Sequence, residues 1–255
     1  MPRKARKKSS TSIYHVMSRG LNKLAIFKEK REKTRMLNLI RENLSNYNVE
    51  IYAYCIMSNH FHLLIKADLE ELASFMAKVL AAFAKYYNFK HNRIGYVFQD
   101  RYKSQRVENM NYFWACLRYI HNNPGYAENV EELLSYKHSS MKEFFCGKQD
   151  ILADTIFLLV DKKFANLEEF LIYHKKEDWS VFADIPEEVF KNNMRIAEEL
   201  LENFSERYEI CKIEVLDYNK TRHEFEDELA GILCVSMKYI SNIVKILREE
   251  LRETR

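Results

Sequence analysis

The sequence predicts an α+β protein: a ferredoxin-like βαββαβ antiparallel sheet with helices on one face, followed by an all-helical C-terminal region. Three observations carry this. Short β-branched and aromatic runs alternate with stretches of helical spacing through the first 110 residues. At 255 residues, 47% hydrophobic and 30% charged, the chain can bury a full core, as one domain or as a domain with an appendage. Residues 1–130 hold 22 Lys+Arg against 10 Asp+Glu, whereas residues 131–255 hold 18 against 27. A basic half favours a polyanionic partner, nucleic acid first, although a solvated basic surface has the same composition.

Residues 1–10 carry five basic and no acidic residues, a tail that can follow phosphates or stay disordered. Ile13 to Gly20 is a β-rich run closed by glycine, the first strand, with Arg19 at its end. Met36, Leu37, Ile40 and Leu44 recur at helical spacing between Lys28 and Asn46. Val49–Ile56 and His60–Lys66 read as strands joined by a Ser58-Asn59 turn, and so as an antiparallel pair. A second helix spans about 70–88, with Leu72, Phe75, Met76, Val79, Leu80 and Phe83 on one side. Residues 95–107 are a polar, aromatic and basic loop entering a fourth strand. A third helix covers about 111–122 and stops before Pro124, whose ring disfavours helix in the residue ahead of it.

Some classes are excluded. No apolar run approaches the roughly 20 residues of a membrane span, and the basic N-terminus lacks the apolar segment of a secretory signal. The expectation is a cytoplasmic chain with no membrane partner. Its five cysteines are scattered and form no Cys-x-x-Cys pair, so they read as reduced thiols.

The chemistry-bearing stretch is Met57-Ser58-Asn59-His60-Phe61-His62-Leu63-Leu64. In a strand, His60 and His62 point to the same face about 6–7 Å apart while Phe61 points to the other. The pair offers one metal ion two imidazoles, or is structural. On the third helix Tyr119 and Asn123 stand four apart and share a face. A phenol there is a nucleophile or a core-capping side chain, and an amide oxygen beside it is a ligand suited to a hard ion.

These residues carry a resemblance. Tyr52-Ala53-Tyr54-Cys55-Ile56-Met57-Ser58-Asn59-His60-Phe61-His62-Leu63-Leu64, then Gly95 with Phe98-Gln99-Asp100-Arg101-Tyr102-Lys103-Ser104, then Arg118-Tyr119-Ile120-His121-Asn122-Asn123-Pro124 resemble the single-tyrosine HUH transposases, and among them the REP-associated tyrosine transposases. The resemblance covers about the first 130 residues. It implies that His60 and His62 are metal ligands with Asn123 as the third, that Tyr119 is the nucleophile, and that the ion is Mg²⁺ or Mn²⁺, with the imidazoles leaning toward Mn²⁺. The implied reaction is attack on a scissile phosphate of single-stranded or hairpin DNA, giving a 5′-phosphotyrosine and a free 3′-hydroxyl. Arg19, Arg101, Lys103 and Arg106 are expected to approach the histidine strand, and Phe98 and Tyr102 to stack on unpaired bases. A monomer is expected over a helix-swapped dimer. After Pro124 the chain departs from its relatives, with Gly125-Tyr126-Ala127-Glu128 where they carry an apolar residue, a basic residue, Ala and Gly.

The expected organisation is a transposase-like nuclease domain over 1–145, an acidic helical linker over 146–220 and a helix-turn-helix over 221–255, for which an ordinary helical hairpin is the alternative. In the last, Ala230 sits at the helix crossing, Cys234 at the turn and Ser236 at the cap. Lys238, Tyr239, Ser241, Asn242 and Lys245 would face a major groove. Six basic against seven acidic residues over 221–255 weaken the DNA reading of that unit. Two other functions compete with a metal-dependent single-strand nuclease: a domesticated, catalytically silent DNA-binding protein, and a zinc hydrolase built on the histidine pair. Intact His60, His62 and Tyr119 argue against the first.

Overall fold

A computed structural model describes residues 6–123, 130–146, 150–175, 186–233 and 237–253. The chain divides into two units, residues 1–177 and 178–255. Among the described residues no single helix is long and apolar enough to cross a membrane.

The first unit is built on four strands, β1 (Ile13–Arg19), β2 (Val49–Ile56), β3 (His60–Ala67) and β4 (Lys103–Arg106), in the order β2-β3-β1-β4 with every pairing antiparallel. The strands are connected through α1 (Lys30–Leu44) and α2 (Leu69–Lys90), so the βαββαβ order expected from periodicity is the order found. Phe61, Leu63 and Ile65 alternate to one face and are fully buried with Val16. Phe27 packs on Phe61 and on Phe83 of α2, ring centroids 6.2 and 4.8 Å apart. Each of these fully buried rings contributes about 1.5–3 kcal/mol by leaving water.

α1 and α2 are also tied at their ends. Glu29 and Glu32 form a capping box at the start of α1, and the Lys90 ammonium at the end of α2 donates to both carboxylates, at 2.8 and 3.0 Å. His91 Nε2 lies 2.6 Å from Glu32.

The opposite face carries α3 (Met110–Asn122). Asn109 caps it by accepting the Tyr112 N–H at 2.9 Å. Phe113, Leu117 and Ile120, spaced along one side, are fully buried, with Phe113 edge-on to Tyr52 of β2 at 5.6 Å. The chain then returns to β2: the Ile56 N–H donates to the His138 carbonyl at 2.9 Å and Cys55 bridges Ser139.

Around this return lie α4 (Val130–Ser135), α5 (Glu143–Cys146), α6 (Asp154–Lys163) and α7 (Leu167–Lys175). Here the structure parts the chain elsewhere than the expected 146–220 linker. Trp114 of α3, Phe164 and Phe170 pack in sequence, with centroids 5.4 and 5.3 Å apart. Glu143 accepts the Tyr54 hydroxyl at 2.6 Å and the N–H groups of Asp150, Ile151 and Leu152 at 3.0–3.2 Å. The acidic helices up to 175 thus belong to the sheet unit, because their few apolar side chains are buried in it.

The second unit holds α8 (Pro186–Tyr208), α9 (Lys212–Asp217), α10 (Asn219–Leu233) and α11 (Met237–Glu253). Leu201, Phe204, Val215, Phe225, Leu229, Ile240, Ile243 and Leu247 form its own core, with Ala230 packed against it. Lys238, Ser241, Asn242 and Lys245 are exposed along α11 and Tyr239 is half-buried. Cys234 and Ser236, the expected turn and cap, lie outside the described residues, as does the departure at 125–128.

Candidate active site

Register places the site. In the antiparallel pair, Arg19 stands opposite His60 and Met17 opposite His62, and side chains of paired residues share a face. His60 and His62 therefore point away from Phe61 and toward α3, with ring centroids 5.0 Å apart and planes nearly perpendicular. Tyr119, half-buried, presents its ring edge-on to His62 at 5.5 Å. The expected nucleophile and one expected ligand are brought together. Asn123 follows one turn later on the face of Tyr119, half-buried at the last described position of that segment.

Hydrogen bonds fix which ring nitrogen faces the site. His60 Nδ1 lies 2.5 Å from Asn59 Oδ1. A carboxamide oxygen only accepts, so the Nδ1–H donates and a neutral His60 carries its lone pair on Nε2. His62 Nδ1 lies 2.9 Å from Nε2 of His15, whose ring stacks on it at 5.1 Å and meets Tyr119 at 5.8 Å. With both Nδ1 atoms held, an ion bound here would be met by the two Nε2 atoms. That set, two imidazole nitrogens with an amide oxygen one helical turn beyond the phenol, fits Mn²⁺ or Mg²⁺ with open positions. Sequence reasoning missed His15; its signal was the same alternation, two residues before Met17 on β1.

Of the expected DNA contacts, Arg19 and Lys103 share the histidine face, since Lys103 pairs with Met17 and Met17 with His62. Arg101 is exposed in the turn before β4. Three others are not brought to this face. Arg106 pairs with Tyr14, which alternation sends to the opposite face, and meets Glu108 at 2.9 Å. Phe98 packs on Phe83 of α2 at 5.8 Å. Tyr102 is buried under the Arg6 guanidinium, which sits 3.8 Å above its ring, and burial raises its phenol pKa. Aromatic residues at strand spacing went to the core, as such residues usually do.

His121, two residues after Tyr119, is fully buried, bonded to His174 Nε2 at 2.9 Å and to Ser140 Oγ at 2.8 Å. Burial, then the neighbouring His174, push its pKa well below the ordinary imidazole value, so it is a neutral structural group. A second cluster with ligand-type atoms, Glu29, Glu32 and His91, has them within 4.8 Å of one another. There the Lys90 ammonium already supplies the cation.

Comparison with known proteins gives three results. The model of the family described as "Transposase IS200 like" matches residues 8–123. A solved structure described as that of a REP-associated tyrosine transposase bound to a REP hairpin is similar at 13% identity and a TM-score of 0.46, over 61% of this chain and 93% of that one. No curated protein matches. The matched segment opens ahead of β1 and closes on Asn123, so it spans His15, the two histidines of β3 and Tyr119, and over residues 8–123 the chain is similar to the IS200-like transposases.

Proposed function

We propose that the first unit breaks and rejoins single-stranded DNA through a covalent bond to Tyr119. The observation that carries this is the packing of the Tyr119 ring against His62, with His60 beside it and both Nδ1 atoms tied back. In the reaction a bond forms between Tyr119 Oη and the scissile phosphorus while the P–O3′ bond breaks. The phenolic proton leaves and the departing 3′-oxygen takes one up, giving a 5′-phosphotyrosine and a free 3′-hydroxyl that can reverse the step. A divalent ion held by His60, His62 and Asn123 would neutralise charge on the phosphate and favour the phenolate. Arg19 and Lys103, on the histidine face, would hold flanking phosphates.

His62 is fully buried and His60 nearly so, so on this reading a phosphate reaches them only after covering side chains move, the Tyr119 ring edge-on to His62 among them. The same burial favours the second reading, a DNA-binding protein that no longer cuts. One experiment separates the two: incubate the chain with Mn²⁺ and a broad set of hairpin-forming single-stranded oligonucleotides, then look for a covalent band on a denaturing gel. We expect a band that disappears in Tyr119→Phe. No band with any oligonucleotide, or one unchanged in Tyr119→Phe, overturns the enzyme reading.

We further infer that α10 and α11 form a helix-turn-helix, supported by the small Ala230 at their shared core and the polar stripe Lys238, Ser241, Asn242 and Lys245.

A further inference from the structure

Phe89, Ile94 and Tyr96 are the most exposed large hydrophobic side chains among the described residues, at 90%, 100% and 85%. All three fall within eight residues, at the end of α2 and in the loop before β4. A single exposed apolar residue needs no account, but three bulky ones on one short segment do.

The segment is an ordered ridge. The Arg93 N–H donates to the Asn88 carbonyl at 2.8 Å, Asn88 Nδ2 donates to the Gly95 carbonyl at 2.8 Å, and Gly95 takes φ +103°, a conformation suited to glycine. The next residues are pinned to the end of β1. The Leu21 N–H donates to the Val97 carbonyl at 2.9 Å, Phe98 bridges Gly20, and the Gln99 N–H donates to the Arg19 carbonyl at 3.0 Å. From its other side Gly20 donates its N–H to the Asn59 carbonyl at 2.8 Å, beside His60. Where the loop rejoins the sheet at Phe98, two residues after Tyr96, its backbone therefore lies two strand spacings, about 10 Å, from the histidine strand.

The segment itself is basic: residues 88–103 hold four Lys+Arg and one Asp, of which Lys90 is paired with Glu29 and Glu32, the other three cations being Arg93, Arg101 and Lys103. Cations beside exposed aromatic faces suit a strand that offers phosphates on one side and unstacked bases on the other.

We propose that Phe89, Ile94 and Tyr96 form a stacking ridge for the unpaired bases of the strand that leads into the Tyr119 site. The ridge rests on the reading of that site as one for single-stranded DNA. A duplex hides its base faces, so the ridge contributes to single-strand affinity alone.

The test titrates the full chain carrying Tyr119→Phe, which forms no covalent product, against a fluorescein-labelled unstructured single strand and the matching duplex, read by anisotropy. Adding Tyr96→Ala or Phe89→Ala should weaken single-strand binding roughly 5- to 100-fold and leave duplex binding unchanged. Tyr96→Phe should keep the affinity, and so should Leu158→Ala, a control for another exposed apolar residue. Unchanged single-strand affinity in both alanine variants overturns the ridge, as does an equal loss on duplex. A Tyr96→Phe variant as weak as Tyr96→Ala also overturns it. So does a change in sedimentation without a change in DNA binding, which would make the patch a contact between copies. Adduct formation by Tyr119 is scored separately: its absence alongside intact stacking defeats the nuclease reading and leaves the ridge standing.

Discussion

His15 completes the histidine pair. Ligating imidazoles commonly donate their second N–H to a carboxylate or carbonyl, which fixes ring and tautomer. His62 instead meets another imidazole, Nδ1 to Nε2 at 2.9 Å, so a metal-facing Nε2 on His62 requires that its Nδ1–H donate and that His15 accept. His15→Phe keeps ring volume and removes the acceptor. We expect Mn²⁺ affinity, read by electron paramagnetic resonance of free Mn²⁺, to fall about 10- to 100-fold, with His15→Gln recovering much of it. Equal affinity in wild type and His15→Phe would leave His15 a packing residue. Strand and helix periods placed His60 with His62 and Tyr119 with Asn123 on common faces without any knowledge of the sheet, and the family resemblance rather than the periods supplied their expected roles. For His15, alternation gives only the face shared with Met17, and its meeting with His62 depends on the β1–β3 register. Arg106 was misplaced for a related reason: where β4 starts decides which of its residues face the histidines.

At the level of elements, the helix that carries Tyr119 is fastened by α7. Arg118 donates to the Tyr173 carbonyl at 3.2 Å and lies 4.4 Å over its ring, while Asn122 Nδ2 donates to the His174 carbonyl at 3.1 Å. The Phe170 carbonyl, 2.8 Å from His174 Nδ1, can only accept. His174 Nε2 must then accept from His121 Nδ1–H, and His121 Nε2 from the Ser140 hydroxyl. The relay needs both rings neutral. It also sets a pH dependence. Burial pushes His174 down to about 4, against the Phe170 bond and with help from the Arg118 charge. Between the ordinary value of about 6.5 and about 4, the unfolded chain takes a proton that the folded chain refuses. Stability is therefore lost as pH falls through that window, by up to about 1.4 kcal/mol per pH unit for this group. The melting temperature of the first unit should drop between pH 7 and pH 5, and His174→Leu should flatten that drop while lowering stability at pH 7. A melting temperature equal at the two pH values would contradict the relay. None of this was legible in the sequence, where 146–220 reads as one acidic stretch. Ile156, Val160, Phe164 and Phe170 are few among the charges, and only packing reveals which core they enter.

Across the whole molecule, charge divides as the two units do. Residues 1–177 hold 29 Lys+Arg against 19 Asp+Glu and residues 178–255 hold 11 against 18. Sequence-independent DNA affinity comes from phosphate neutralisation and falls steeply with salt, so on the proposed function it is expected of the first unit, and the net-acidic second unit is expected to add to it only along α11. There the stripe of Lys238, Ser241, Asn242 and Lys245 is exposed, and the helix is held from behind by Ile240, Ile243 and Leu247. A net-acidic unit with one local basic stripe is poorly suited to binding any duplex and better suited to one whose base edges satisfy Ser241 and Asn242. A fragment of residues 1–177 should therefore form the Tyr119 adduct undiminished and keep the steep salt dependence. Compared with the full chain, it should lose any preference for a single strand joined to a particular duplex. Lys238→Glu with Lys245→Glu in the full chain should reproduce that loss. If the truncated chain retains the full preference, α11 reads no groove and the acidic unit serves something other than DNA. If the fragment loses the adduct itself, the division at 177 cuts through the machinery rather than beside it.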